Sequence, residues 1–166
     1  HETIIVTTTT PSGASYITEK FKDRLTHVYF PCDIPACVTR FITHFNPKCC
    51  LLMEKELWPN ILHCCQKNNI SVLLAKARID TTSYNQYRWF KPLIQPALKH
   101  LHCIMAQSQQ DAIYFKQLGA KEEAIHITGN IKFDITLNNE HIQYGKDLKK
   151  NMPSKRLILM GASTHK

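Results

Sequence analysis

Five apolar residues in a row, Cys49-Cys50-Leu51-Leu52-Met53, run directly into two acids, a tryptophan and a proline in Glu54-Lys55-Glu56-Leu57-Trp58-Pro59-Asn60. Apolar side chains at every position of so short a run predict a strand covered on both faces, as in a parallel sheet. Glu54 then stands at the carboxyl end of that strand, where open α/β sheets bind their ligands. Ile61-Leu62-His63-Cys64-Cys65 reads as the helix returning over the sheet. Glu54 and Glu56 also have a plainer reading, as acids at a helix start that interact with its dipole.

Strand and helix signals alternate along the chain. Apolar or β-branched runs predict strands at residues 3–7, 27–30, 49–53, 70–75, 103–106, 125–128 and 157–160. Helical signals fall between them. One starts at a cap on Thr10 or Ser12 and reaches Phe21, and others cover residues 35–45, 58–67, 84–101, 108–118 and 135–148. Pro92 and Pro96 predict a break or bend in the fourth, and Gly119 ends the fifth. This order specifies a mostly parallel sheet with helices on both faces. Polar clusters follow most strands, at residues 8–12, 54–60, 78–83, 107–108, 129–134 and 163–165, and a parallel sheet would line them along one edge as a cleft. Residues 131–151 are more polar and read as an inter-domain connection, with the last strand opening a second domain.

The net charge is +8 with nine His uncounted, which favours an anionic partner: nucleic acid, acidic headgroups or a phosphorylated substrate. The cations are scattered, and the cluster Lys146, Lys149, Lys150 reads as a solvated helix face. Seven Cys occur without zinc spacing. Cys49 and Cys50 would point to opposite faces of a strand, and Cys32 and Cys37 have no matching pair. Reduced core thiols of a cytosolic protein, with no bound metal, are the expectation. No apolar run approaches the ~20 residues of a membrane span, and no signal peptide is visible. The chain begins without Met and stops just past an apolar strand pattern, so a fragment is expected.

Several stretches, taken in order, resemble the 3-deoxy-D-manno-octulosonic acid (Kdo) transferases of lipopolysaccharide synthesis. They are Met53 through Asn60, Ala77-Arg78, Gly129-Asn130-Ile131-Lys132-Phe133-Asp134 and Ala162-Ser163-Thr164-His165, with Thr9-Thr10-Pro11-Ser12-Gly13 and Tyr29-Phe30-Pro31-Cys32-Asp33 in support. The resemblance covers essentially the whole chain. It implies a two-domain glycosyltransferase of the GT-B type. Residues 1–134 would be most of the N-terminal, Rossmann-like acceptor domain, 135–153 the connection, and 154–166 the first strand and loop of a C-terminal donor domain. It further implies transfer of Kdo from CMP-Kdo to a phosphorylated lipid A precursor, lipid IVA, with inversion and with neither metal nor other cofactor. The enzyme would work at the cytoplasmic face of a Gram-negative inner membrane, bound peripherally or through an anchor outside this chain.

Residue by residue, the resemblance makes Glu54 an essential carboxylate close to the acceptor. Glu56 is the second acid of its motif. Arg78 would meet a phosphate or the Kdo carboxylate, Lys132 would contact the donor at the inter-domain crossing, and Ser163, Thr164 and His165 would form the first donor loop. Trp58 and Pro59 are expected to pack, and Asp134 to serve as a turn or cap. The proposed base of the family lies in a Ser-x-Gly-Glu stretch that this chain lacks, so the chain alone is expected to be inactive. Lys166 replaces the Gly that follows the donor motif, Lys76 stands where Asn commonly precedes Ala-Arg, and Ile79-Asp80 replaces Leu-Ser.

Two other classes compete. A nucleotide-sugar enzyme of different specificity on the same fold, such as a UDP-sugar epimerase, would differ in second-domain motifs. A basic nucleic-acid-binding module would explain the charge, but no RNA-recognition motif, zinc finger or basic helix with a dimerisation seam is present.

Overall fold

In a computed structural model, residues 3–134 and 139–150 are described. The chain divides into two compact units, His1–Asn130 and Ile131–Lys166. In the first unit, strands and helices alternate as β1 (Ile5–Thr8), α1 (Pro11–Phe21), β2 (Thr26–Tyr29), α2 (Pro35–Phe45), β3 (Cys49–Met53), α3 (Pro59–Lys67), β4 (Ser71–Ala77), α4 (Thr81–Trp89), α5 (Lys91–Lys99), β5 (Cys103–Ala106), α6 (Gln109–Leu118) and β6 (Ile125–Ile127). All four described strand pairings are parallel: β1 with β2 in one sheet, and β3-β4-β5-β6 in order in another. In the second unit, Ile131–Asp134 forms a 3-10 turn and Asn139–Lys150 forms a helix, α7.

Local signals account for most boundaries. Thr10 caps α1, its hydroxyl accepting from the Gly13 amide at 3.2 Å. Asn46, in the left-handed region at φ 41°, closes α2. Ser108 caps α6, and Gly119 ends it at φ 107°, a conformation that glycine adopts without a Cβ clash. The core joins Val72 and Leu74 of β4 and Ile104 of β5 to Val38 of α2, Leu62 of α3, Leu98 of α5 and Phe115 of α6. The Phe30 ring, just after β2, packs on Trp58 at the start of α3 with centroids 5.2 Å apart.

Some expectations need correction. β3 is not covered on both faces: Leu52 is 6% exposed, but Leu51 is 57% and Met53 44% exposed. Cys49, Leu51 and Met53 alternate with Cys50 and Leu52, so the exposed residues share one face of the strand, and that face is open among the described residues. Of the cysteines, Cys64 and Cys65 are buried, whereas Cys32, Cys37 and Cys49 are exposed free thiols. The helix expected from Tyr84 begins at Thr81, because Asp80 caps it through the Ser83 amide at 2.9 Å. It breaks at Phe90. Pro92 sits in the first turn of α5, where no backbone N–H is needed, and Pro96 lies within that helix. α7 starts at Asn139, while residues 135–138 and the strand expected at 157–160 lie outside the described residues.

Candidate functional site

Parallel pairing brings the carboxyl ends of β3, β4 and β5 to one edge of the sheet. Glu54 is the first residue beyond β3. Its amide continues the ladder to the Ala75 carbonyl at 2.9 Å, while its backbone turns to φ 58°. Lys76 lies opposite at φ 51°, where the register of β4 against β5 shifts between Leu74 and Ala77. Left-handed backbone costs a side-chain-bearing residue roughly 1–2 kcal/mol, and such strain concentrates at functional sites. Here the two turns aim two side chains at each other, and Lys76 Nζ lies 2.5 Å from Glu54 Oε1. The lysine is mostly covered and the carboxylate half-exposed, so Glu54 faces solvent over a cationic floor. Gln107, just past β5, locks the irregularity by donating from its amide to the Ala77 carbonyl and from Nε2 to the Lys76 carbonyl, both at 3.0 Å.

Arg78 follows between two buried neighbours, Ala77 and Ile79, and is itself exposed. Among the described residues its guanidinium forms no ion pair or hydrogen bond. The loop beneath it is anchored from a distance, since the Ile79 amide donates to Oδ1 of the buried Asp111 at 2.8 Å. The other oxygen of Asp111 receives the Ser108 hydroxyl at 2.5 Å. The loop after β3 is tied down as well. Lys55 Nζ reaches Asp80 Oδ2 at 3.2 Å and Ser83 Oγ at 3.1 Å, and the Tyr87 hydroxyl donates to the Lys55 carbonyl at 3.3 Å. The Ser83 amide and hydroxyl, and then Lys55, hold the Asp80 carboxyl well below the usual carboxylate range. Burial pushes the Tyr87 phenol up.

Glu56 is exposed, with its amide in a turn to the Met53 carbonyl at 3.1 Å. The helix-start reading of the two acids is overturned, because the first turn of α3 contains no acid. Asp33 serves that terminus instead, accepting from the Asn60 amide at 3.1 Å and the Ile61 amide at 3.0 Å. Asn60 returns a bond from Nδ2 to the Asp33 carbonyl at 2.6 Å. Two of the stretches singled out in the sequence thus end on residues that bind each other. Lys132 is exposed in the 3-10 turn of the second unit, while Ser163, Thr164 and His165 lie outside the described residues. The structure therefore brings Glu54 and Arg78 together with Lys76. The roles of Asp33 and Asp111 in holding distant amides were missed, since those amides lie 27 and 32 residues away, although the spacing of Ser108 and Asp111 was a local sign of the α6 start. Among the described residues no group of three or more His, Cys, Asp or Glu could hold a metal ion, and no helix is long and apolar enough to cross a membrane.

Comparison with known proteins gives a consistent result. The sequence model of a family described as 3-deoxy-D-manno-octulosonic-acid transferase (kdotransferase) matches residues 1–135. A 3-deoxy-D-manno-octulosonic acid transferase of Haemophilus influenzae is 36% identical over 165 residues, 99% of this chain and 39% of its own length. One from Bordetella pertussis is 31% identical over 86% of this chain and 34% of its own length. The chain thus spans about two fifths or less of these curated relatives. Among solved structures, a UDP-GlcNAc 2-epimerase from Neisseria meningitidis, bound to UDP-GlcNAc, superposes with a TM-score of 0.54 at 11% identity, covering 89% of this chain and 44% of that one. At that identity the likeness shows the fold alone: a Rossmann-like α/β sheet of the GT-B type.

Proposed function

We propose a function on the premise that this chain belongs to the 3-deoxy-D-manno-octulosonic acid (Kdo) transferase family, as the match over residues 1–135 shows. It is the acceptor-side part of an inverting glycosyltransferase that moves Kdo from CMP-Kdo to a lipid A precursor at the cytoplasmic face of the inner membrane. Residues 1–134 hold the acceptor, 135–153 connect, and 154–166 begin the donor domain. The observation that supports this most is the Glu54–Lys76 pair, a carboxylate held in one direction at the carboxyl edge of a parallel sheet. The acceptor hydroxyl attacks the anomeric carbon while CMP departs, its proton passing to a carboxylate base supplied from outside this chain, and Glu54 accepts a hydrogen bond from the acceptor sugar and so aims it. Arg78 offers a forked guanidinium to the acceptor phosphate or the Kdo carboxylate. Glu56 lines the same loop, and Lys132, Ser163, Thr164 and His165 contact the donor. No metal enters these steps.

The test is a transfer assay with labelled CMP-Kdo and lipid A precursor, in the whole protein beside its Glu54→Ala variant. Loss of aim at the reacting centre costs on the order of 10²-fold, so the variant is expected to retain about 1% of the parent's activity or less while remaining folded. Equal activity would remove Glu54 from the site. A parent inert with this pair, yet converting a UDP-sugar, would leave only the fold that it shares with the epimerases.

A further inference from the structure

The corner between α4 and α5 exposes what a water-facing surface normally hides. Trp89 is 87% exposed, Phe90 63% and Leu93 60%. These are not stray core residues, because both helices satisfy the core with other side chains. α4 turns Tyr84 inward to stack on Tyr114, with centroids 4.2 Å apart, and sends Tyr87 to the Lys55 carbonyl. α5 buries Ile94, Ala97 and Leu98.

Charge points the same way. From Thr81 to Gln110 the chain contains no Asp or Glu, but it carries Arg88, Lys91 and Lys99. Arg88 lies over the Tyr84 ring, 5.8 Å from its centroid, Lys91 donates to the Gln117 carbonyl at 3.0 Å, and the two cations bracket Trp89 and Phe90 in the chain. Tryptophan beside cations, with anions excluded, is the composition of a membrane–water interface. A tryptophan this exposed is itself a protruding wedge that enters a soft phase. α4 also fixes the distance to the candidate site. Its nine residues run from Asp80, next to Arg78, to Trp89, a rise of about 13 Å. The polar layer of a bilayer is roughly 5–8 Å deep per leaflet, so an α4 standing on its tip would set the Arg78 loop above that layer, and only an acceptor headgroup that projects past its neighbours would meet it.

We propose that Trp89, Phe90 and Leu93, with Arg88 and Lys91 beside them in the chain, form the surface by which this chain rests on an anionic lipid bilayer. The proposal rests on the glycolipid-acceptor reading above for its purpose, though not for its test. The chain is mixed with phosphatidylglycerol-containing vesicles or with pure phosphatidylcholine vesicles, beside the triple variant Trp89→Ser, Phe90→Ser, Leu93→Ser, whose helix content is checked by circular dichroism. Co-sedimentation on anionic vesicles is expected, weakening with salt, and at least about tenfold weaker for the triple variant. Tryptophan emission should shift to the blue on binding in a Trp58→Phe background, which isolates Trp89. The proposal is overturned by three results: no binding to anionic vesicles, binding that the triple variant retains, or lipid-free self-association that the variant abolishes, which would make the corner a protein contact. The two readings fail separately. A whole protein inert with CMP-Kdo, although the corner binds vesicles, sinks only the function. Transfer to detergent-dispersed acceptor without vesicle binding sinks only the surface.

Discussion

Lys76 holds a backbone conformation that lysine disfavours, φ 51°, and it does so while paired with Glu54. Resemblance to the Kdo transferases puts Asn at this position, and Asn enters the left-handed region more readily than most residues because its short amide bonds locally. The position therefore demands a conformation first and a charge second. Lys76→Asn should leave stability within about 0.5 kcal/mol, since relief of backbone strain offsets loss of an ion pair worth roughly 0–1 kcal/mol. Lys76→Val should cost more than about 1 kcal/mol, because a β-branched side chain at positive φ clashes with its own backbone. Urea midpoints of the three proteins decide the matter. If Asn and Val cost the same, the ion pair and not the conformation sets the requirement.

Among the elements, α6 serves two ends at once. Ser108 and Asp111 close its N-terminus, and Asp111 also holds the Ile79 amide, so one buried carboxylate fixes both a helix start and the loop that presents Arg78. Asp111→Ala removes a cap contact worth about 1 kcal/mol and strands a buried N–H worth about 1–3 kcal/mol, so a loss of roughly 2–4 kcal/mol is expected by chemical denaturation. A loss under about 1 kcal/mol would show that the loop holds itself. The same element shows where sequence reading succeeds and stops. The Gly119 stop and the extent of β5 were legible because each depends on residues within a few positions, whereas Ser108, expected as the helix's first residue, is its cap. The strand ends carrying Glu54 and Arg78 were legible because apolar runs give way abruptly to polar ones. The grip of Asp111 on Ile79, and that of Asp33 on α3, were not, because a carboxylate that caps from another element leaves no local spacing. The left-handed turn at Lys76 was hidden for a related reason, as it sits in a ladder irregularity that only pairing with β5 and Gln107 defines.

At the scale of the whole molecule, the question is which faces of the sheet are covered. β3 was expected to be covered on both, because its five residues are all apolar, yet composition cannot tell a central strand from one with an open side. In the structure Leu51 and Leu52 are neighbours with opposite surroundings, 57% and 6% exposed. Leu52→Ala should therefore cost about 2–5 kcal/mol, the usual range for an aliphatic side chain removed from a packed core. Leu51→Lys should stay within about 0.5 kcal/mol and raise solubility, since a lysine on an open strand face opposes edge-to-edge association. Thermal unfolding and light scattering on the two variants read both effects. Should Leu51→Lys cost as much as Leu52→Ala, the outer face of β3 is occupied in solution. Concentration dependence then separates the occupants: a second copy gives a midpoint that rises with protein concentration, whereas cover by the chain itself gives one that does not.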